Sequence, residues 1–172
     1  MANVIDFGAL SLATEASWYQ QRRPDVKLTS YLTFRLGEEE YGIELLRLRE
    51  IKKMLPTTEV PRVPGFVSGI ISVRGIVMPV IDLCERIGLT PIGRDRARYL
   101  VVSRNEELFA LVVDEVREVV PLSDAEIEPA PPMLARSEAE FIAGIGRRAD
   151  HGERLIILLD LDAVLRFEMR RR

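Results

Sequence analysis

From Tyr31 onward, apolar and polar positions alternate with a period of two. Leu32, Phe34 and Leu36 interleave with Tyr31, Thr33 and Arg35, and after Gly37-Glu38-Glu39-Glu40 the rhythm returns in Tyr41, Ile43 and Leu45. Short alternating runs split by a Gly-containing polar turn predict a β-hairpin with one buried face. The stretch from Leu46 to Lys53 fits two patterns: Leu48 and Ile51 suit a helical face, whereas Leu46, Leu48 and Glu50 suit a strand face. Pro56, Pro61 and Pro64 then impose a loop. A second hairpin is expected over Gly69–Leu83, with Arg74-Gly75 at its turn. Asp82 is placed to cap a short helix and Gly88 to stop it. A charge is costly to bury unpaired, so Arg74 is expected at a surface or in a salt bridge.

The second half repeats these parts in order. Tyr99-Leu100-Val101-Val102 echoes Tyr31-Leu32-Thr33-Phe34, and Asn105-Glu106-Glu107 replaces the acidic turn. Val116-Arg117-Glu118-Val119 matches Leu48-Arg49-Glu50-Ile51. A second proline loop (Pro129, Pro131, Pro132) leads to Phe141-Ile142-Ala143-Gly144-Ile145, the counterpart of Phe66-Val67-Ser68-Gly69-Ile70. Arg154–Leu161 repeats the strand that ends in Asp-Leu. The offset grows from about 68 to about 78 residues, which puts the extra length in loops. Many short strands and few long helical runs predict a mainly β fold of two small closed barrels with short helices. One unit of ~60 residues would be marginal alone, but two packed side by side share buried surface and leave a groove for a partner.

This divides the chain into an extension (1–29), a first barrel (about 30–89), a second barrel (about 98–167, with room for strand exchange between the two) and a basic tail (168–172). Residues 90–97 form the bridge between halves. The extension, with Trp18-Tyr19 and a stop at Pro24, reads as flexible or as one short helix.

Composition narrows the function more than the fold. A net charge of −3 gives no overall footprint for nucleic acid. Met1–Leu12 carries Asp6 and no basic start, and no apolar run reaches the ~18 residues of a membrane helix, so a cytoplasmic protein without membrane insertion is expected. His151 is the one histidine and Cys84 the one cysteine, too few for a zinc site of the usual ligands. A Cys84–His151 dyad is disfavoured, because Cys84 lies in an apolar setting and His151 at a hairpin tip. No phosphate-binding Gly-rich loop with Lys and Ser/Thr is present. Glu38-Glu39-Glu40 reads as a solvated turn, and Asp82 and Asp160 as helix caps. The expectation is therefore no catalysis, no cofactor and no metal.

Arginine dominates the basic residues: of 24, only Lys27, Lys52 and Lys53 are lysines. Arg94, Arg96 and Arg98 cluster at the bridge, which keeps a nucleic-acid-binding small barrel as a distant alternative. The aromatic residues, however, fall in strand patterns and are not interleaved with arginines. The remaining class works by contact. Glu50 and Arg74 are each a charge isolated in an apolar segment, and they are expected to pair and tune a partner groove.

The ordered motifs resemble the CheW family: Tyr41-Gly42-Ile43-Glu44-Leu45, Leu48-Arg49-Glu50-Ile51, Val60-Pro61-Arg62-Val63-Pro64, Gly69–Gly75, Pro79-Val80-Ile81-Asp82-Leu83, Val113-Asp114-Glu115-Val116 and Ile127-Glu128-Pro129-Ala130-Pro131. The match covers about residues 30–167. The resemblance implies two five-stranded barrels (SH3-like or OB-like) and a non-enzymatic adaptor. Such adaptors join the cytoplasmic tips of methyl-accepting chemotaxis receptors to the regulatory domain of a CheA-type histidine kinase. It implies a cytoplasmic protein recruited to membrane-associated arrays, with an adaptor of a pili, biofilm or development pathway as the alternative. Carried over by position, Leu48, Glu50, Gly69, Arg74 and Gly75 would face the receptor, and Met133 and Glu128 the kinase. Ser72, Cys84 and Glu128 depart from the residues usual in the family at those places.

Overall fold

The computed structural model describes residues 25–134, 139–149 and 152–168. Trp18, Tyr19 and Pro24 of the extension, His151, and the tail beyond Glu168 lie outside the described residues. The first half supplies β1 (Leu28–Leu36), β2 (Glu39–Glu44), β3 (Leu48–Lys53), β4 (Val67–Val73), β5 (Ile76–Asp82) and the helix α1 (Leu83–Ile87). The second supplies β6 (Arg98–Arg104), β7 (Glu107–Val113), β8 (Glu115–Ser123), β9 (Ile127–Glu128), β10 (Ile142–Arg148), β11 (Arg154–Leu159) and α2 (Leu161–Val164). The ambiguous stretch resolves into a 3-10 turn at Leu45–Arg47 followed by β3.

The two sheets run β8-β1-β2-β11-β10-β9 and β3-β6-β7-β5-β4. Each takes its central hairpin from one half and its flanking strands from the other. Replacing every strand by its repeat counterpart converts the second order into the first, with β9 as an extra edge. The correspondence extends to irregularities. Both β4–β5 and β10–β11 carry a register shift at the residue before a glycine, between Val67 and Gly69 and between Ile142 and Gly144. Both sheets also contain one parallel pair, β5 with β7 and β2 with β11.

Closed barrels are not what forms. Among the described residues neither sheet is sealed by paired strands, so each has two edges. At the β3/β4 edges the cause is legible: the connecting loop holds Pro56, Pro61 and Pro64, which lack N–H donors, and only Thr58 bridges to Ile70, with 2.9 Å hydrogen bonds in both directions.

Alternation along the strands sorts the apolar side chains into three cores. Residues such as Val73, Met78, Tyr99 and Val101 fill the inner side of the β3–β7 sheet. Tyr31, Val120, Leu122, Ile156 and Leu158 do the same for the other sheet. The opposite faces, including Leu32, Phe34, Ile81, Leu100 and Leu111, merge with Leu161 of the helix after β11 into one larger shared core. Neither half could bury that face alone, which is why the two sheets are inseparable.

Both second strands end in a capping aspartate. Asp82 Oδ1 accepts from the Glu85 N–H at 3.3 Å, and Gly88 ends α1 at φ 79°. Asp160 Oδ1 accepts from the N–H groups of Asp162 and Ala163, at 2.9 and 3.1 Å. The helices are short, and arginines tie them down. Arg86 lies between the Phe66 and Phe141 rings, 4.3 and 4.7 Å from their centroids, and its Nε donates to the Val164 carbonyl at 2.9 Å. Arg47 Nη2 meets Asp162 at 2.8 Å, and Arg104 donates to the Leu165 carbonyl at 3.0 Å.

Candidate functional site

The β4–β5 hairpin turns on two residues, Arg74 at φ 50° and Gly75 at φ 79°. Positive φ at both central positions is the requirement of a type I′ turn, whose twist matches the flanking strands. Glycine meets it freely, whereas arginine there carries local strain. The turn sets the guanidinium at the mouth of the inner core, against Glu50. Glu50 pairs in register with Val101, an inner-core residue, so its carboxylate stands on the same face of the sheet. Arg74 Nη2 lies 2.7 Å from Glu50 Oε1. The Glu50 side chain is only 9% exposed and that of Arg74 is 65% exposed. A buried carboxylate is thus answered by one arginine that water reaches from the other side.

The other receptor-facing candidates do not all gather there. Gly75 shares the turn. Leu48 pairs with Val102 and packs on the shared core, so the bulge at Arg49 leaves Leu48 and Glu50 on opposite faces of β3. Gly69 sits where β4 passes Thr58, at φ 141°, and any side chain there would collide with the Thr58 carbonyl oxygen. Its position explains a close backbone approach and not a contact with the guanidinium.

In the second half, Glu128 lies on β9 opposite Ile145, and its carboxylate is 3.2 Å from Arg147 Nη2. Met133 projects from a turn closed by the Leu134 N–H donating to the Pro131 carbonyl at 3.2 Å, and it is 90% exposed. Beneath the turn, Pro131 and Leu134 line a groove of about 260 Å³ with Tyr41, Ile145, Ile157 and Leu159.

Three features were not anticipated. Leu46, on the 3-10 turn beside β3, is the most exposed large apolar residue after Met133 among the described residues. Glu40 is not a solvated turn residue: it lies on β2 and is bound through both oxygens by Arg154, which also reaches Glu118 at 2.8 Å. Burial alone would raise the Glu40 carboxyl, but the hydrogen bonds from Arg154 and Thr33 and the Arg154 charge hold it below its ordinary value. Asp114 is fully buried; its Oδ2 accepts from the Gly37 N–H at 2.8 Å, while Arg94 meets it at 3.6 Å and Asp82 at 2.7 Å. A lone carboxylate closing the apolar run Leu111-Val112-Val113 was the available signal for that last group.

Cys84 packs against this cluster, 1% exposed. Burial, and then the Asp114 and Asp82 charges, push its thiol up to about 11. It has no character of a nucleophile. No group of three metal-ligating side chains occurs among the described residues, and no described helix is long and apolar enough to cross a membrane. Two of the bridge arginines are engaged with carboxylates, Arg94 with Asp82 and Asp114, and Arg96 with Glu115, while Arg98 donates to the Ala97 carbonyl at 2.7 Å.

Two interlocked sheets, a salt-bridged mouth and exposed apolar residues on loops define a β-rich recognition scaffold. The family model for the CheW-like domain matches residues 30–169. The chemotaxis protein CheW of Klebsiella aerogenes is 32% identical over 139 residues, covering 80% of this chain and 82% of the relative. That of Helicobacter pylori is 31% identical over 153 residues, 88% of this chain and 90% of the relative. Protein FrzA of Myxococcus xanthus is 28% identical over 149 residues, 86% and 90% of the two chains. The crystal structure of the scaffolding protein TtCheW from Thermoanaerobacter tengcongensis superposes with a TM-score of 0.73 at 32% identity, covering 82% of this chain and 94% of that one. The chain belongs to the CheW family, the coupling adaptors of chemosensory signalling.

Proposed function

We propose that this chain joins the cytoplasmic tip of a methyl-accepting chemotaxis receptor to the regulatory domain of a CheA-type histidine kinase, without catalysing a reaction. It is a cytoplasmic protein drawn to the membrane only through the receptor. The observation that carries the reading is the Glu50–Arg74 pair at the mouth of the β3–β7 sheet. A charge fixed against a buried counter-charge gives a partner register, and apolar residues around it give affinity.

Glu50, Arg74 and Gly75 form the receptor-facing site, with Leu48 supporting β3 from the shared core and Gly69 setting how β4 passes Thr58. Met133, with Glu128 beside the same proline loop, faces the kinase. Arg147 already neutralises part of the Glu128 charge, so the kinase contact rests on apolar area more than on charge. A pull-down from lysate of the source cell, with the purified chain as bait, tests the reading. Retention of both a CheA-type kinase and a receptor supports it. Capture of neither, with the bait folded, overturns it.

A further inference from the structure

Met133 occupies an unusual place for an apolar side chain. Pro132 stands at the second position of the turn and Met133 at the third, while the Leu134 N–H closes it on the Pro131 carbonyl at 3.2 Å. Proline fixes its own φ, which holds the turn open to one arrangement. Leu134 is thereby directed into the groove with Tyr41, Ile157 and Leu159, and Met133 is left outside at 90% exposure. The other described methionines differ sharply: Met54 is 43% exposed and Met78 1%. Accessible thioethers react with peroxides, whereas buried ones are shielded.

We propose that Met133 is a modification site: it is oxidised reversibly to the sulfoxide, and the sulfoxide weakens the kinase-facing contact. The second clause rests on the kinase-facing reading given above. In the forward step a sulfur lone pair attacks one oxygen of hydrogen peroxide. The S–O bond forms, the O–O bond breaks, the thioether loses two electrons, and the second oxygen leaves as water. In the reverse step a dithiol reductase removes the oxygen as water and becomes a disulfide. Oxidation turns a flexible apolar side chain into a polar one, which suits water better than the apolar centre of an interface. Buried Cys84, with its thiol pushed up to about 11, does not compete for the oxidant as a thiolate.

The test treats the full chain with hydrogen peroxide and follows each methionine by peptide mass spectrometry. Binding to the regulatory domain of a CheA-type kinase from the same genome is measured in parallel. Met133 is expected to gain oxygen well before Met54, and Met78 only on unfolding. Binding should fall about tenfold, as loss of an interface anchor does, and a methionine sulfoxide reductase should restore it. Met133→Leu should show the same binding before and after peroxide, whatever its starting level, and Met133→Gln should bind weakly without it. If Met133→Gln binds as tightly as the unmodified chain, the kinase-facing reading fails. If Met133→Gln is weak but Met133 gains oxygen no faster than Met54, the modification proposal alone fails. Loss of binding by peroxide-treated Met133→Leu also overturns it.

Discussion

The two halves place equivalent carboxylates in unequal surroundings. Glu50 on β3 and Glu118 on β8 are repeat counterparts, yet the Glu50 side chain is 9% exposed and that of Glu118 is 58% exposed. Glu50 pairs with Arg74, which sits on a two-residue turn. Glu118 shares Arg154 with Glu40, and Arg154 comes from a strand. The same duplicated frame therefore holds a poised pair at one mouth and an internally satisfied network at the other. A pair anchored on one side and open on the other can still bind something; a network whose members answer each other has less to offer. Duplication supplied the frame, and divergence in burial decided which copy presents a site.

Four expected outcomes bear on that contrast. The largest concerns the paired glycines. Gly69→Ala sets a Cβ against the Thr58 carbonyl at a φ of 141° that side chains avoid, and should cost about 3 kcal/mol or more in urea unfolding. Gly144→Ala meets the Glu128 carbonyl at 2.9 Å without a positive φ, and β9 is only two residues long and can yield, so about 1–2 kcal/mol is expected. Equal losses would mean that the two passes are equally rigid.

Next comes the pair itself. Arg74→Ala leaves the Glu50 carboxylate buried without its partner and should cost about 1–2 kcal/mol, less than a fully buried pair because Arg74 is largely exposed. Glu50→Ala leaves a solvated arginine and should cost less, while Glu118→Ala should stay within about 0.5 kcal/mol. Thermal unfolding of the three variants checks this order, and a Glu118→Ala loss as large as that of Arg74→Ala would erase the contrast between the mouths.

Smaller still is the response to acid. Glu40 in the folded protein titrates below its ordinary value, so its network contributes stability above the usual glutamate range and loses it as pH falls through the folded value. With Glu40 partly exposed, the effect should stay below about 1 kcal/mol. Arg154→Met should flatten that acid limb of the stability profile, whereas Arg74→Met should not change the Glu40 contribution.

The smallest is kinetic. The Cys84 thiol should label with a maleimide only at the rate of unfolding, measured by mass spectrometry at neutral pH. Fast labelling of the native protein would show that the bridge segment opens independently.

Much of this architecture is local and could be read from the chain. Period-two alternation located the hairpins, the Arg74-Gly75 dipeptide located a tight turn, and the Asp-Leu endings located both helix caps. The repeat order was legible because counterparts follow one another in the same sequence, with the extra length falling in loops. Which strand joins which sheet was not, since pairing β2 with β11 or β5 with β7 depends on the shared core and leaves no mark on either strand. The placing of Leu48 away from Glu50 follows from a one-residue bulge at Arg49, and a strict alternation cannot reveal that. Arg86 between Phe66 and Phe141 was hidden for a similar reason, because three distant segments meet only in the fold.

The most direct test is a double-mutant cycle on receptor binding, with wild type, Glu50→Ala, Arg74→Ala and the double variant titrated against a purified receptor cytoplasmic tip. If Glu50 and Arg74 act as one unit on the receptor, their coupling is about 1 kcal/mol or more, with the second substitution adding little once the first is made. Additive losses within about 0.3–0.5 kcal/mol, or four proteins that bind the tip alike, would contradict it.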